Sequence, residues 1–343
     1  MDVIPFSTVE AKMAKRGKRS YSLLLGNGFS MAYDPGIFSY NALHGFVDTL
    51  DNALLKALFR VVDTHDFEQV MRQLDTFAAV GEVLGIDATL RARIDTARSD
   101  LKRGLIDAVR ALHPEHVFKV PQDKCDACVS FLRRFLDADG SLFTTNYDLL
   151  LYWVLMRGEL GGVDGFGRDR ENPDEYVPEE DIEWSELRWG RNSAGQNVHY
   201  IHGALPLFDT GLEIVKEQYG EGYLLEQITK RIQNDEYPLF VTAGDGAQKL
   251  KHIRQNPYLH HSFQALATVT GSVVSFGFNF GPQDEHIITA LAHAAKQPIP
   301  DKLWSVYIGV FSDADIERAT EIAPQLKCKV HLFDSKTAPV WGR

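Results

Sequence analysis

Four short apolar runs in this chain stop abruptly at glycine or at a polar side chain, and that repeated ending constrains the fold more than any other feature. Tyr21–Leu25 runs into Gly26-Asn27-Gly28, and 141–145 into Asn146-Tyr147-Asp148. Likewise 198–201 stops at His202-Gly203, and 272–276 at Gly277-Phe278-Asn279. Continuous apolar runs of this length suit strands buried on both faces. Helix-period segments separate them, which argues for parallel strands covered by helices. Ligands of such folds bind beyond the carboxyl ends of the strands, where all four clusters fall.

The expected fold class is therefore α/β: a Rossmann-like, mostly parallel sheet with helices on both faces. A helical insertion over 44–137 follows the first strand. Leu50, Leu54, Leu55, Leu58, Phe59 and Val62 recur there at helical spacing, as do Phe67, Val70, Met71 and Leu74. Leu101, Leu105, Ile106, Val109 and Leu112 continue the pattern. Further helices are expected over 149–156, 223–232, 256–268, 285–295 and 313–322, and strands over 304–310 and 329–333. The segment 158–195, rich in glycine, charge and tryptophan, reads as a long surface excursion. An irregular region follows His202-Gly203, with a short apolar run at 239–242. No internal repeat divides the chain, and 1–343 reads as a single domain.

Composition narrows the function. A formal net charge of −11 argues against broad nucleic-acid binding by the whole surface. No apolar run approaches the roughly 20 residues needed to cross a bilayer, so no membrane role is expected. The basic stretch 12–19 lacks the apolar core of a signal peptide and reads as a solvated arm. Three cysteines suit a reducing cytoplasm. Cys125-Asp-Ala-Cys128 has no second pair to complete a zinc site and reads as two thiols on a helix.

The closely spaced glycines of Gly26-Asn27-Gly28 let the backbone turn sharply and bring N–H groups against a bulky anion such as a diphosphate. The full Gly-x-Gly-x-x-Gly fingerprint is absent, and a tight strand-to-helix turn without a ligand is the competing reading. Asn146 and Asp148 also admit a second role as caps of the helix that follows them. His202 also fits a hydrogen-bonded core position closing a strand. Asp284-Glu285 reads as compensation of a helix dipole, and Gly244-Asp245-Gly246 with Lys249 as an ordinary turn, the competing reading being a flexible clamp over a cofactor. Glu68 reads as a solvated helix position, the competing reading being a substrate-facing carboxylate, and His199, His260 and His261 as surface or packing residues.

The order of these motifs resembles the sirtuin-like superfamily. Sirtuins carry a glycine loop of the type Gly-Ala-Gly-Ile-Ser, then Thr-Gln-Asn-Ile-Asp, then a His-Gly pair, then a glycine-containing strand end. Here the matching segments are Gly26-Asn27-Gly28-Phe29-Ser30, Thr144-Thr145-Asn146-Tyr147-Asp148, Ile201-His202-Gly203 and Ser275-Phe276-Gly277-Phe278-Asn279. Pro35-Gly36-Ile37-Phe38 is similar to the segment after the sirtuin glycine loop but lacks its arginine. No cysteine lies between Gly203 and Gly271, so the four-cysteine zinc module of deacylating sirtuins has no counterpart. The chain looks instead like the divergent bacterial sirtuin-like domains of anti-phage defence.

That resemblance implies NAD as substrate, hydrolysed to nicotinamide and ADP-ribose, with no metal required. It implies a regulated, cytoplasmic, homo-oligomeric effector that depletes NAD. A partner ATPase of the translocase type, or an Argonaute-like protein, would activate it. The alternative is a non-catalytic NAD or ADP-ribose sensor that signals to a partner. For the hydrolase, Gly26, Asn27, Gly28, Phe29 and Ser30 are expected to hold the diphosphate. Gly277, Phe278 and Asn279 are expected at the adenosine. Asn146 would orient ribose or water, Asp148 would meet a ribose hydroxyl or the developing positive charge, and His202 would act as base.

Overall fold

The computed structural model describes residues 1–15, 17, 19–35, 52–62, 67–111, 113–114, 116–171, 178, 182–218, 222–241 and 246–342. Its centre is a seven-stranded sheet, all parallel, flanked by helices in a Rossmann-like arrangement. The strands are β1 (Val3–Pro5), β2 (Tyr21–Leu25), β3 (Leu142–Thr144), β6 (Val198–Tyr200), β10 (Gly271–Phe276), β11 (Leu303–Val310) and β12 (Lys329–Asp334). They lie in the order β1-β12-β11-β10-β2-β3-β6.

The central strands are buried at every position of β2, β3, β6 and β10, as parallel strands covered on both faces require. Leu23, Leu24 and Leu25 are fully buried, each worth about 1.5–3 kcal/mol of apolar transfer. Register is continuous across the sheet centre, with Leu24 opposite both Ser275 of β10 and Phe143 of β3. The helix Gln122–Leu136 packs on β2, and Glu285–Ala295 and Asp313–Ile322 pack on β11.

Between β2 and β3 stand the helices Gly28–Tyr33, Ala53–Val62, Phe67–Leu84, Ala88–Ala111 and Gln122–Leu136. Within the expected insertion, 44–51, 63–66, Leu112 and Glu115 lie outside the described residues, and Glu68 is described only by its backbone. Gly36, Ile37 and Phe38 also lie outside them. Cys125 and Cys128 are buried thiols on the Gln122–Leu136 helix, as expected, and are not bonded to each other. Burial pushes both thiols up, which makes them poor metal ligands and poor nucleophiles.

Two expectations are corrected. The region after Arg157 is no mere surface excursion. It contributes β4 (Gly165–Gly167) and β5 (Leu187–Asn192) to a second, antiparallel sheet with β7 (Gly203–Asp209), β8 (Ile214–Lys216) and β9 (Pro238–Phe240), in the order β4-β5-β8-β7-β9. The basic stretch 12–19 is also not simply a solvated arm. Lys12 belongs to the helix Phe6–Ala14, which buries Phe6, Val9 and Met13. Lys12 and Arg19 lie over the rings of Tyr307 and Trp304 on β11. No helix among the described residues is long and apolar enough to cross a membrane.

Candidate functional site

The carboxyl ends of β10, β2, β3 and β6 lie side by side, so the four sequence clusters form one row across the top of the sheet. The chain leaves β2 towards β3 on one side, while β10 is its neighbour on the other. Where the connections diverge in this way, an open α/β sheet offers a crevice.

At that point the two glycine turns fill the space with each other. Gly26 N donates to Phe276 O at 3.0 Å, and Gly28 N donates to Gly277 O at 2.8 Å. A Cβ on Gly28 would stand 2.5 Å from Gly277 Cα. One on Gly26 would stand 2.5 Å from Phe278 Cα. Gly277 adopts φ +68°, where only glycine is unstrained, and its own Cβ would meet Gly28 C and Phe29 N at 2.5 Å. Backbone crossing, with no ligand, already demands all three glycines.

The amides expected to hold a diphosphate are largely occupied. Besides those of Gly26 and Gly28, Phe29 N donates to Gly26 O and Ser30 N to Asn27 O. Asn27 is half-buried, and its side chain makes no cap bond to the helix it precedes. Phe29 is buried; its carbonyl accepts from Trp341 Nε1 at 2.8 Å, and its ring lies 4.9 Å from the Trp341 ring. Phe278 is likewise buried, edge-on to Phe280. Asn279 is exposed and closes a local turn by accepting from Gly281 N at 3.0 Å.

Ser30, Asn146 and Asp148 do converge. Asn146 Nδ2 donates to Ser30 Oγ at 2.9 Å, and Ser30 Oγ donates to Asp148 Oδ2 at 2.5 Å. Asp148 Oδ1 accepts from Leu150 N at 2.9 Å, at the entrance of the helix Leu150–Arg157. Asp148 thus serves a capping role while also closing a polar chain that spans β2 and β3. Burial raises its carboxyl above the ordinary range, against the lowering by these hydrogen bonds. Held through Nδ2, the Asn146 amide turns its carbonyl end away from Ser30.

His202 sits on the neighbouring turn, 3% exposed. Its carbonyl accepts from Val241 N, and Tyr147 Oη donates to Val241 O, so Tyr147 and His202 are both tied to the segment after β9. The Tyr147 and His202 rings lie 6.5 Å apart and nearly parallel. Gly203 has φ +79°, and a Cβ there would fall 1.8 Å from Leu239 O, so the close pairing of β7 with β9 requires glycine at this point.

Sequence reasoning did not find the partner of His202. His202 Nε2 lies 2.8 Å from His286 Nε2 and 4.0 Å from Asp284 Oδ1. Asp284 is no simple dipole compensation: its side chain makes no cap bond, and its Oδ1 accepts from Lys249 Nζ at 2.8 Å. Gly244 and Asp245 lie outside the described residues, but Lys249 stands on the helix Gly246–Gln255 and is buried. Burial pushes the His202 imidazole well down, helped by His286 and Lys249. It pushes His286 down to about 4, against the pull of Asp284. Both rings are neutral near pH 7. The only signal for this pairing was the Asp284-Glu285-His286 sequence at a helix start, 84 positions from His202.

His199 is buried and stacked 5.0 Å from Phe143, while His260 and His261 are exposed, as packing and surface residues would be. A search of curated proteins gives no match. A family model described as a domain of unknown function, DUF4917, matches residues 23–341, a span that takes in all four strand-end clusters and the His202–His286 pair, and the chain belongs to the DUF4917 family.

Proposed function

We propose that the chain is an NAD glycohydrolase that cleaves the nicotinamide–ribose bond, with its site on the row of strand ends. The observation that carries this reading is the buried chain Asn146–Ser30–Asp148, set between the glycine turn and the buried His202. Polar groups this deeply buried, hydrogen-bonded into one rigid array beside a titratable base, mark a site built for chemistry.

Cleavage breaks the C–N glycosidic bond, and its electron pair leaves on the nicotinamide nitrogen. Nicotinamide departs neutral, so no general acid is needed, and an oxocarbenium-like ribose remains. The Asp148 carboxylate, when ionised, stabilises that positive charge electrostatically. The Asn146 carbonyl, fixed by the bond to Ser30, orients the ribose hydroxyls or the incoming water. Water adds to the ribose carbon and gives its proton to His202, which releases it to solvent. The products are nicotinamide, ADP-ribose and one proton. Gly26–Ser30 would lie along the diphosphate, with the Asn27 side chain as its free polar group and the engaged amides shared. Gly277 and Asn279 would border the adenosine.

A second reading has an observation of its own. The glycine turns are satisfied without a ligand, and His202 is tied to His286, which suits a sensor that binds NAD or ADP-ribose without cleaving it. On either reading we place the protein in the cytoplasm, as a homo-oligomer that answers to a partner ATPase or an Argonaute-like protein. The deciding experiment is nicotinamide release from NAD by the purified protein, beside folded His202→Ala and Asn146→Ala variants. Release that both variants lose supports the hydrolase. Release undiminished in both discards this site, and NAD binding without release, with or without a partner, supports the sensor.

A further inference from the structure

Three side chains behind the strand-end row present ligand atoms to one point. His202 Nε2, His286 Nε2 and a carboxylate oxygen of Asp284 all lie within 4.8 Å of one another. They come from the turn between β6 and β7 and from the start of the helix Glu285–Ala295, both anchored in the core. Imidazoles whose Nε2 atoms face at 2.8 Å cannot both be charged, and at most one carries a hydrogen between them. His286 Nδ1 is buried and has no hydrogen-bond partner among the described residues. That nitrogen stays unpaired in either tautomer, and equally with a cation on Nε2; the convergence of the three donor atoms is what points to a ligand.

We propose that His202, His286 and Asp284 bind a divalent transition-metal cation, zinc being the best match, and that the bound cation withdraws His202 from proton transfer. Two imidazoles and one carboxylate are a borderline-soft donor set that suits Zn²⁺ over Mg²⁺ or Ca²⁺. Zinc holds nitrogen and oxygen ligands at about 2.0–2.2 Å, which places tetrahedral ligands about 3.3 Å apart. The imidazoles would open by about half an ångström from 2.8 Å, and Asp284 would close by slightly more from 4.0 Å. Water or an anion would take the remaining positions. The Nε2 lone pair of His202 would then sit on the metal and could accept no proton.

Lys249 sets the strength of this site. Its ammonium is the cation now paired with Asp284, and a metal must displace it. The His286 ring also lacks the outer hydrogen bond that usually orients a metal-bound imidazole, a loss worth roughly 10–100-fold in affinity. Both features weaken the site and make its occupancy reversible.

The metal half of this proposal stands on geometry alone, while the withdrawal of His202 rests on the glycohydrolase reading. The experiment titrates the full-length protein with Zn²⁺ against a fluorescent chelator, and with Co²⁺ followed by its visible absorption. One equivalent is expected in the wild type. Binding should weaken at least about tenfold in His286→Ala and in Asp284→Asn. It should tighten in Lys249→Met, where the competing cation is gone. Asp284, near the surface, tests the site even if His286→Ala does not fold. No binding by the wild type, or binding unchanged in both ligand variants, overturns the site. Nicotinamide release is then measured with Zn²⁺ and with a chelator. Inhibition by Zn²⁺ in the wild type but not in Asp284→Asn supports the withdrawal of His202, whereas activation by Zn²⁺ overturns it. Zinc binding by a protein that releases no nicotinamide even with the chelator and a partner ATPase or Argonaute-like protein present would refute the glycohydrolase reading and leave the metal site standing.

Discussion

Replacing Gly28 by alanine should destabilise the protein, although helix propensity alone argues for the reverse. Gly28 opens the helix Gly28–Tyr33, where alanine is intrinsically better by up to about 1 kcal/mol. The new methyl, however, would lie 2.5 Å from Gly277 Cα and 3.1 Å from Gly277 O. Carbon atoms rest at about 3.5–4.0 Å, so the two turns must part by about 1 Å. Parting them stretches the 2.8 Å bond from Gly28 N to Gly277 O past useful length, a loss of about 1 kcal/mol. Overpacking adds about 1–3 kcal/mol, and the backbone on the far side cannot swing away as a side chain could. The net expectation is about 2 kcal/mol of destabilisation. Gly81→Ala is the control: it also lies in a helix, Phe67–Leu84, but its new methyl meets only the Ile86 side chain. Urea unfolding of both variants should show Gly28→Ala shifted down and Gly81→Ala unshifted or slightly up. A Gly28→Ala protein as stable as the wild type would refute the argument that backbone crossing requires these glycines.

Ser30→Ala removes both an acceptor for Asn146 and a donor to Asp148, and should cost about 2–3 kcal/mol in urea unfolding. Because the lost bond lowers the Asp148 pKa, the cost should be larger near pH 8 than near pH 5, and a pH-independent difference would count against the network. His199, His202 and His286 are buried with depressed pKa values, His199 at about 3 and His286 at about 4. Between about pH 6.5 and pH 4 the unfolded chain binds protons these rings refuse, so stability should fall as pH falls. Asp148 offsets at most one of these, and His113, pushed down to about 4 by its own burial, adds to the loss, so stability should fall by at least about 2 kcal/mol from pH 6 to pH 5. Denaturant titrations across that range check it, and a flat profile would refute the neutral burial. Trp341→Phe keeps the ring contacts with Phe29 and Tyr33 but removes the bond to the Phe29 carbonyl, and should lower stability by about 1 kcal/mol. No change in the urea midpoint would mean that carbonyl finds another donor.

The parallel sheet was legible because its strands bury both faces and so write themselves as unbroken apolar runs. Tyr21–Leu25 is bounded by Ser20 and Gly26, and its ends read directly from the sequence. The helix Asp313–Ile322 announces itself through a capping box of Ser312 and Asp315. The antiparallel sheet carried no such signature. β5 is Leu-Arg-Trp-Gly-Arg-Asn, half of it exposed, and β4 is the three residues Gly165–Gly167. β7 is apolar, but it begins at a left-handed glycine and contains Pro206, both of which read as breaks. At the site, the sequence placed Asn146, Asp148 and His202 at strand ends because alternation of runs fixes where strands stop. It could not show that Gly26, Gly28 and Gly277 lean on one another, nor that His286 faces His202. Both are contacts between distant segments with no periodic trace.

The bond from Trp341 to Phe29 spans 312 positions, and β1 pairs with β12. At about 5–20 residues per second, a ribosome that has made the turn after β2 needs on the order of half a minute to reach Trp341. Through that interval the turn lacks its anchor, and the Phe29 ring and carbonyl have nothing from the far end of the chain to rest on. The strand-end row is thus timed by synthesis: it takes its final shape only once translation has passed residue 341. A chain stalled before residue 341 would hold every polar residue of the row and still lack the fixed turn on which that row depends.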